Sequence, residues 1–381
     1  MPTTRSAEKN ATSKGDHNGE GAGDKHQIQD KTSPKSKRTK KDNDKKQQTI
    51  EDTIPNPTEA YGNGRAAKPQ SKSAASKNED EGNTEDQSLK RDAAEVPGAR
   101  GGSVPASILE KGLIYFFFRG RVGIDEPSDV KEIQRTYMLL RPLKKDAKLG
   151  EGTIDDAGNA RLIAVPKKVF PLSGKDRWIA FVEKVNTSFK DLKETFLPAS
   201  DYVTKTVGVR HTPAATPAAE GVYAITTTGR ESHLAYMITL PSNLGEVQAE
   251  LGLREKGSFI ISTRNPQYDA PRGTALPQGA DYPKDVQDEF RALRWMPTQP
   301  HHLDYVNTQF LLIGESSGIT KATEPQKEDE KEGKEKPIEE LEKLEDEDTH
   351  RMEQLKGDDS AAIFADLHAR AKDYPKLQTT F

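Results

Sequence analysis

Residues 108–119, with the sequence ILEKGLIYFFFR, mark the point at which this chain begins to resemble the inside of a folded domain. The segment before them contains almost no large apolar side chains. Within the stretch, six apolar or aromatic residues run without interruption from Leu113 to Phe118 and are followed by Arg119. A short, aromatic-rich run of this kind is typical of a strand that is buried on both faces. We therefore predict that the folded part of the chain is built around this strand.

The composition of the whole chain predicts one domain with long polar arms. Of 381 residues, 32% are hydrophobic and 31% are charged, and the mean hydropathy is -0.85. An ordinary globular domain is roughly half apolar. The chain has no cysteine, which excludes disulfides, thiolate zinc sites, iron–sulfur clusters and a cysteine nucleophile.

Further apolar runs follow residues 108–119 along the chain. They predict an α+β fold with about eight strands and three short helices, because the strands cluster instead of alternating with helices. We predict a disordered basic and polar arm over 1–103, an α+β core over 104–315 and an acidic tail over 316–381. A proline- and alanine-rich segment offers a division of the core into subdomains 104–212 and 220–315.

The acidic tail contains two stretches with helical spacing of apolar residues. Ile338, Leu341 and Leu344 form a thin apolar stripe, which predicts a weak, solvated helix. Residues 360–372 have a capping serine and apolar residues at helical spacing, which predicts an amphipathic helix. Such a helix either packs back on the core or docks on a protein partner, and the sequence leaves both alternatives open.

The N-terminal arm contains a dense basic cluster that predicts nuclear import. A short cationic run in an exposed arm suits the groove of a nuclear-import receptor, and the alternative is a nucleic-acid phosphate backbone. We predict a nuclear location, with the cytoplasm as the alternative. We predict no membrane association, because no apolar run approaches the ~18 residues that a span requires. The residues of the predicted nuclear-localisation cluster are Lys35, Lys37, Arg38, Lys40 and Lys41.

Several cationic side chains follow the ends of predicted strands and form a candidate site for anions or nucleic acid. If those strand ends converge, they would make a cationic pocket able to bind phosphate or carboxylate. The alternative is that cations at strand ends only keep the sheet soluble. Two histidines could add acid–base chemistry if the two halves of the core pack face to face. The candidate residues are Arg119, Arg121, Arg141, Lys167, Lys168 and Arg210, with His211 and His233.

A metal site could be drawn from His301, His302 and Asp304. Side chains of adjacent residues normally point apart, however, and the chain lacks a glycine-rich phosphate loop, an HExxH motif or an EF-hand loop. We therefore predict no metal site, no cofactor and no catalytic residue.

The apolar runs also resemble a known family. The shared motifs span roughly residues 108–315 and lie outside both tails. They resemble an uncharacterised family found in fungi and bacteria, whose fungal members are often labelled "BTB domain transcription factor". The resemblance implies a self-contained domain with a nuclear role in fungi, and it transfers no catalytic residue. The strand-rich pattern favours an α+β core over the mostly helical BTB fold. The matching motifs are Leu109-Glu110-Lys111-Gly112, Ile114-Tyr115-Phe116-Phe117, Arg161-Leu162-Ile163, Arg177-Trp178, Phe181-Val182, Gly221-Val222-Tyr223, His233-Leu234-Ala235-Tyr236, Gly245-Glu246-Val247-Gln248, Asn265-Pro266 and Leu303-Asp304-Tyr305.

Taken together, these features predict a nuclear, non-enzymatic binding or regulatory protein that is associated with transcription or chromatin. The alternative is an enzyme, or a domain that binds a small anion or nucleotide through the cationic strand ends and a histidine.

Overall fold

The stretch at residues 108–119 forms the strand at the centre of a large antiparallel sheet. The structure, a computed structural model, describes residues 95–206 and 208–354, all of which belong to one unit. The predicted nuclear-localisation cluster and the predicted helix over 360–372 lie outside the described residues. In chain order the strands are β1 (Glu95–Val96), β2 (Ile108–Gly120), β3 (Ile133–Leu143), β4 (Lys148–Leu149), β5 (Ala160–Val165), β6 (Arg177–Thr187), β7 (Ser200–Thr204), β8 (Gly208–Thr212), β9 (Thr216–Thr227), β10 (Ser232–Leu240), β11 (Lys256–Arg264), β12 (Trp295–Pro297) and β13 (Gln309–Gly314).

Eight of these strands close into a barrel. The hydrogen-bonded order is β10-β9-β2-β3-β5-β6-β13-β11, and β11 pairs again with β10. All of these pairings are antiparallel, so closure leaves no free edge in the ring of eight. Strand β12 extends the edge of β11 beyond the end of β10, and β1–β4 and β7–β8 form separate two-stranded sheets.

Helices in the described residues are few, and most are short. Together with the nine-stranded sheet they confirm the predicted strand-rich α+β class. None of the helices in residues 95–206 and 208–354 has the length and apolar character needed to span a membrane. The helices are α1 (Phe189–Thr195), α2 (Glu246–Glu250), α3 (Lys284–Glu289), α4 (Lys327–Lys331) and α5 (Pro337–Gln354), with 3-10 turns at Val130–Glu132 and Pro300–Asp304.

Both faces of β2 are buried, which explains its uninterrupted apolar run. Successive side chains of a strand point to opposite faces. Phe116 belongs to an interior cluster that takes side chains from all eight barrel strands, and its ring lies 5.2 Å from that of Tyr236. Tyr115 and Phe117 point to the outside, where they meet helices. Six apolar residues in a row are therefore required at this position.

The outer face of β2 is covered partly by α1. Ser188 caps this helix by accepting a hydrogen bond from the Asp191 backbone N–H, in a capping box with the Asp191 side chain. The Phe196 ring at its C-terminal end packs edge-on against Phe117 at 5.4 Å and Tyr137 at 5.0 Å. Helix α1 thus packs against the barrel wall.

The predicted subdomains 104–212 and 220–315 share one sheet, as the position of β9 shows. The segment read as a proline- and alanine-rich linker enters this strand, and β9 pairs with β2 from Thr216 onward. Proline removes a ladder donor and is tolerated at bulges. Pro217 lies at such a register shift, opposite Phe117. The sheet therefore runs through both predicted halves.

The predicted boundary between core and acidic tail needs correction. Leu341 and Leu344 of α5 are 1% and 0% exposed and belong to the same cluster as Leu113 and Tyr115 on the outside of the barrel. In addition, both carboxylate oxygens of Asp329 accept hydrogen bonds from the chain just before β2. Residues 316–354 are therefore part of the folded unit, which on the N-terminal side reaches β1.

Charged side chains on the buried face of α5 explain why the sequence suggested a solvated helix. Glu340, Asp348 and Arg351 are at most 1% exposed. Lys111 of β2 donates from Nζ to Glu340 at 2.7 Å, and Arg351 pairs with Asp348 at 2.6 Å. A helix that packs through paired charges has little apolar periodicity, so a hydropathy pattern does not detect that it is buried.

Candidate functional site

Arg119, the first residue of the predicted cationic site, is used to hold α1 in place. Its guanidinium is 7% exposed and lies 5.1 Å from the centre of the Phe196 ring. It donates hydrogen bonds to the carbonyl oxygens of Phe196 and Pro213. The guanidinium donors of Arg119 are therefore engaged with backbone carbonyls, one of them at the C-terminal end of α1.

Arg141 lies towards the opposite end of the barrel. The register places Arg119 beside Arg135 and Arg141 beside Leu113, so the two candidates are separated by six residues of β2, or about 20 Å. Arg141 is 2% exposed and pairs with Glu95 at 3.2 Å. Arg119 and Arg141 therefore do not contribute to one pocket.

The remaining cationic candidates lie towards the Arg119 end of the barrel, on the surface. Arg121 and Lys167 are exposed, and Arg210 is half-buried on β8. Lys168 donates from Nζ to the carbonyl oxygen of Lys131. Carboxylates of Asp125 and Glu126 lie in the loop that follows Arg121 in the sequence, so this surface carries both signs of charge.

The structure does not bring His211 and His233 together. His211 of β8 lies between two exposed carboxylates, with Nδ1 2.6 Å from Asp201 and Nε2 2.8 Å from Asp125. The hydrogen bonds to Asp201 and then Asp125 raise the pKa of His211. His233 of β10 is fully buried, with its Nδ1 2.8 Å from Glu315. The two side chains therefore contact different carboxylates and lie on different sheets.

His233 and Glu315 help to fasten the segment after β13 to the barrel. The Ser258 hydroxyl donates to the same Glu315 oxygen at 2.6 Å. Burial opposes ionisation of Glu315, but the hydrogen bonds from His233 and Ser258 outweigh it and lower the pKa of this carboxyl. Because Ser258 contacts the carboxylate and not the imidazole, the three residues lack the order of a nucleophile–base–orienter triad.

A different cluster has the geometry of a binding site: Glu289, His301 and His302, which we call the EHH cluster. One ligand atom from each of the three side chains lies within 4.8 Å of the others. Oε2 of Glu289 is 3.0 Å from Nε2 of His301 and 3.2 Å from Nε2 of His302. Glu289 is the last residue of α3, and the histidines lie on the 3-10 turn Pro300–Asp304.

The sequence had grouped these two histidines with Asp304, and the structure corrects this choice. Asp304 instead accepts hydrogen bonds from Arg161 of β5, at 2.8 Å from Nε. The other side of the same guanidinium binds both oxygens of Glu110 at 2.7 and 2.8 Å. The Tyr223 hydroxyl also donates to Glu110, at 2.7 Å, and burial raises the pKa of Tyr223 well above its ordinary value. Asp304 therefore belongs to this hydrogen-bond network and not to the histidine pair.

His302 is the most constrained member of the EHH cluster. It is 0% exposed and stacks on the Phe290 ring with centroids 5.2 Å apart. Its Nδ1 lies 3.2 Å from the Thr263 hydroxyl and accepts a hydrogen bond from the backbone N–H of Gln299 at 3.2 Å. Burial lowers the pKa of His302, which favours the neutral imidazole near neutral pH.

Sequence reasoning missed Glu289 because it precedes the histidines by twelve residues, in another helix. The available signal was weak: an acidic residue in a stretch with helical spacing of Val286, Phe290 and Leu293, followed by a His-His pair that begins after Pro300.

No protein-family model, curated protein or solved structure matches this chain.

Proposed function

We propose that this chain is a nuclear, non-enzymatic binding protein whose barrel serves as a docking scaffold. The observation that carries the proposal is the cluster of Lys35, Lys37, Arg38, Lys40 and Lys41 in the polar N-terminal arm. Closely spaced cations in an arm with few large apolar residues fit the acidic groove of an import receptor. The predicted partner is therefore a nuclear-import receptor.

The buried arginines of the barrel already have internal partners. Arg119 donates to backbone carbonyls, Arg141 pairs with Glu95, and Arg161 is held between Glu110 and Asp304. A buried cation with its donors already engaged would lose those hydrogen bonds on binding an external anion. This weighs against the alternative of a small-anion or nucleotide site at these residues.

The resemblance to fungal proteins labelled as transcription factors supports a more specific role. We propose that the partners of the scaffold belong to the transcription or chromatin machinery. The segment 360–372, for which the sequence predicts an amphipathic helix and which lies outside the described residues, is a candidate for such a contact, because an amphipathic helix can place its apolar face in a partner's groove.

Neutralising the basic cluster is expected to move the protein out of the nucleus. The variant replaces Lys35, Lys37, Arg38, Lys40 and Lys41 with alanine, in the full chain fused to a fluorescent protein. Loss of the cationic motif removes the charge–charge contacts with the receptor, so the nuclear-to-cytoplasmic ratio should fall severalfold, towards that of the fluorescent protein alone. Quantitative imaging of living cells measures this ratio.

The matched control removes five scattered cations from the same arm: Lys68, Lys72, Lys77, Lys90 and Arg91. This control changes the net charge equally and should leave the distribution unchanged. An unaltered nuclear fraction in the cluster variant, or equal loss in both variants, would reject import through residues 35–41.

A further inference from the structure

We propose that the EHH cluster binds one divalent transition-metal ion through Glu289, His301 and His302, and that its donor set best suits Zn²⁺. This site is independent of nuclear import, because the cluster lies on the barrel and the import motif lies in the arm. Failure of either proposal therefore leaves the other standing.

The spacing of the ligand atoms is close to that of a zinc site. Zinc binds imidazole nitrogen and carboxylate oxygen at about 2.0–2.2 Å in a tetrahedral arrangement, which places neighbouring ligand atoms roughly 3.4 Å apart. Glu289 Oε2 already lies 3.0 and 3.2 Å from the two Nε2 atoms. The third separation, between the ligand nitrogens of His301 and His302, is at most 4.8 Å. The His301 side chain is partly exposed, so its ring has room to move and shorten this distance.

The convergence of two adjacent histidines is itself informative. Neighbouring residues usually direct their side chains apart, yet here the two rings lie 4.6 Å apart at an angle of 69°. Both Nε2 atoms are directed at one carboxylate that arrives from α3. Side chains from two separate elements thus present three ligand atoms to the same small volume.

One neighbour of His302, the Thr263 hydroxyl, can accept a hydrogen bond from Nδ1–H in the ligating tautomer. Ligation through Nε2 requires the imidazole proton to reside on Nδ1, where a neighbouring acceptor stabilises it. The Thr263 hydroxyl lies 3.2 Å from Nδ1 and donates in turn to Thr298 at 3.0 Å. Metal binding therefore moves the His302 proton from Nε2 to Nδ1, at the expense of the hydrogen bond from Gln299 N–H.

The ligand types select the class of metal. Two imidazoles and one carboxylate suit zinc and its neighbours, whereas Mg²⁺ and Ca²⁺ prefer oxygen ligands alone. Three protein ligands leave a fourth position for water or for a side chain of a partner. The side chains of His301 and Glu289 are 45% and 39% exposed, so that position faces solvent.

Metal titration of the full-length protein tests the site. We expect wild-type protein to take up one tightly held Zn²⁺, measured by competition with a chromophoric chelator, and Co²⁺ in its place to give the strong visible absorption of tetrahedral coordination. His301→Ala and Glu289→Gln should each weaken this binding by more than about 100-fold, beyond the ~10–100-fold that loss of an outer-shell partner costs. Both positions are partly exposed, so the variants should fold, and far-ultraviolet circular dichroism verifies this.

Two further variants keep the test specific. Thr263→Val should retain one bound ion but lower its affinity by about 10–100-fold, because it removes the acceptor for His302 Nδ1–H. His211→Ala is the matched control, since His211 also contacts two carboxylates but directs its two nitrogens to opposite sides. Absence of stoichiometric Zn²⁺ binding, or equal binding by wild type and the Glu289→Gln variant, would overturn the proposal and leave Glu289 as a hydrogen-bond acceptor for two histidines.

Discussion

A chain that ends at Glu315 is expected to lose most of its stability, whereas a chain that ends at Gln354 should remain folded. Residues 316–354 cover the outside of the barrel wall, and Leu341, Leu344 and Met352 of α5 are at most 2% exposed. Full burial of such a side chain contributes about 1.5–3 kcal/mol. Their combined contribution, roughly 5–9 kcal/mol, approaches the whole stability of an ordinary domain, about 5–15 kcal/mol.

Urea denaturation of the two truncated chains, followed by tryptophan fluorescence and circular dichroism, measures this difference. The chain ending at Gln354 is the matched control, because both lack residues 355–381. Equal midpoints and equal slopes for the two chains would show that α5 adds nothing to the barrel, and the folded unit would then end at β13 as the sequence suggested.

Replacing Arg351 with methionine is expected to destabilise the protein by about 3–5 kcal/mol, because it leaves buried carboxylates without their counter-ion. The Arg351 guanidinium lies 2.6 Å from Asp348 and 3.6 Å from Glu220, and all three side chains are 0% exposed. Thr239 donates to Asp348 at 2.7 Å, which is too little to offset a whole charge. Denaturant midpoints at constant slope report the loss.

Lys343→Met on the same helix is the matched control for Arg351→Met. Lys343 pairs with Glu335 at 2.6 Å, but its side chain is 45% exposed. An exposed pair of this kind is worth about 0–1 kcal/mol, so this variant should stay close to wild type. Adding Asp348→Leu to Arg351→Met should restore part of the loss, because an apolar replacement of the pair removes an unpaired charge. Equal effects of Arg351→Met and Lys343→Met would contradict the burial of this cluster.

The sequence predicted the strands well because their patterns are local. The apolar run from Leu113 to Phe118 requires two buried faces, and Ser188 is a residue type that commonly caps the start of a helix. Closure of the barrel was not predictable in this way. It depends on pairing between β10 and β11 and on the long-range pairing of β2 with β9, and no local feature specifies such partners.

The burial of α5 was missed for a different reason. Charged residues occupy three of its core-facing positions. Arg351 and Asp348 pair with each other within the helix, whereas Glu340 pairs with Lys111 of the distant strand β2. A hydropathy scale treats every charged side chain as exposed to solvent. In the structure these side chains are buried and paired with opposite charges. Only the fold reveals which charges are paired.

The candidate site was predictable in part. The His301-His302 pair was recognised, but it was considered only with Asp304, two residues further on, and a metal site was rejected on that basis. The fold commits Asp304 to Arg161 and brings Glu289 to the histidines from α3. Proximity in sequence was a poor guide here, because Asp304 of the same turn pairs with Arg161 while Glu289 reaches the histidines from a separate helix.

The most direct test of the folded assignment of α5 is amide hydrogen exchange of the full-length protein, resolved for peptides that cover Pro337–Gln354. The buried contacts of α5 with the barrel predict that its amides exchange as slowly as those of β2, in a single cooperative unit. Exchange of Pro337–Gln354 at the rate of an unstructured peptide, with β2 still protected, would contradict the account and return this helix to the acidic tail.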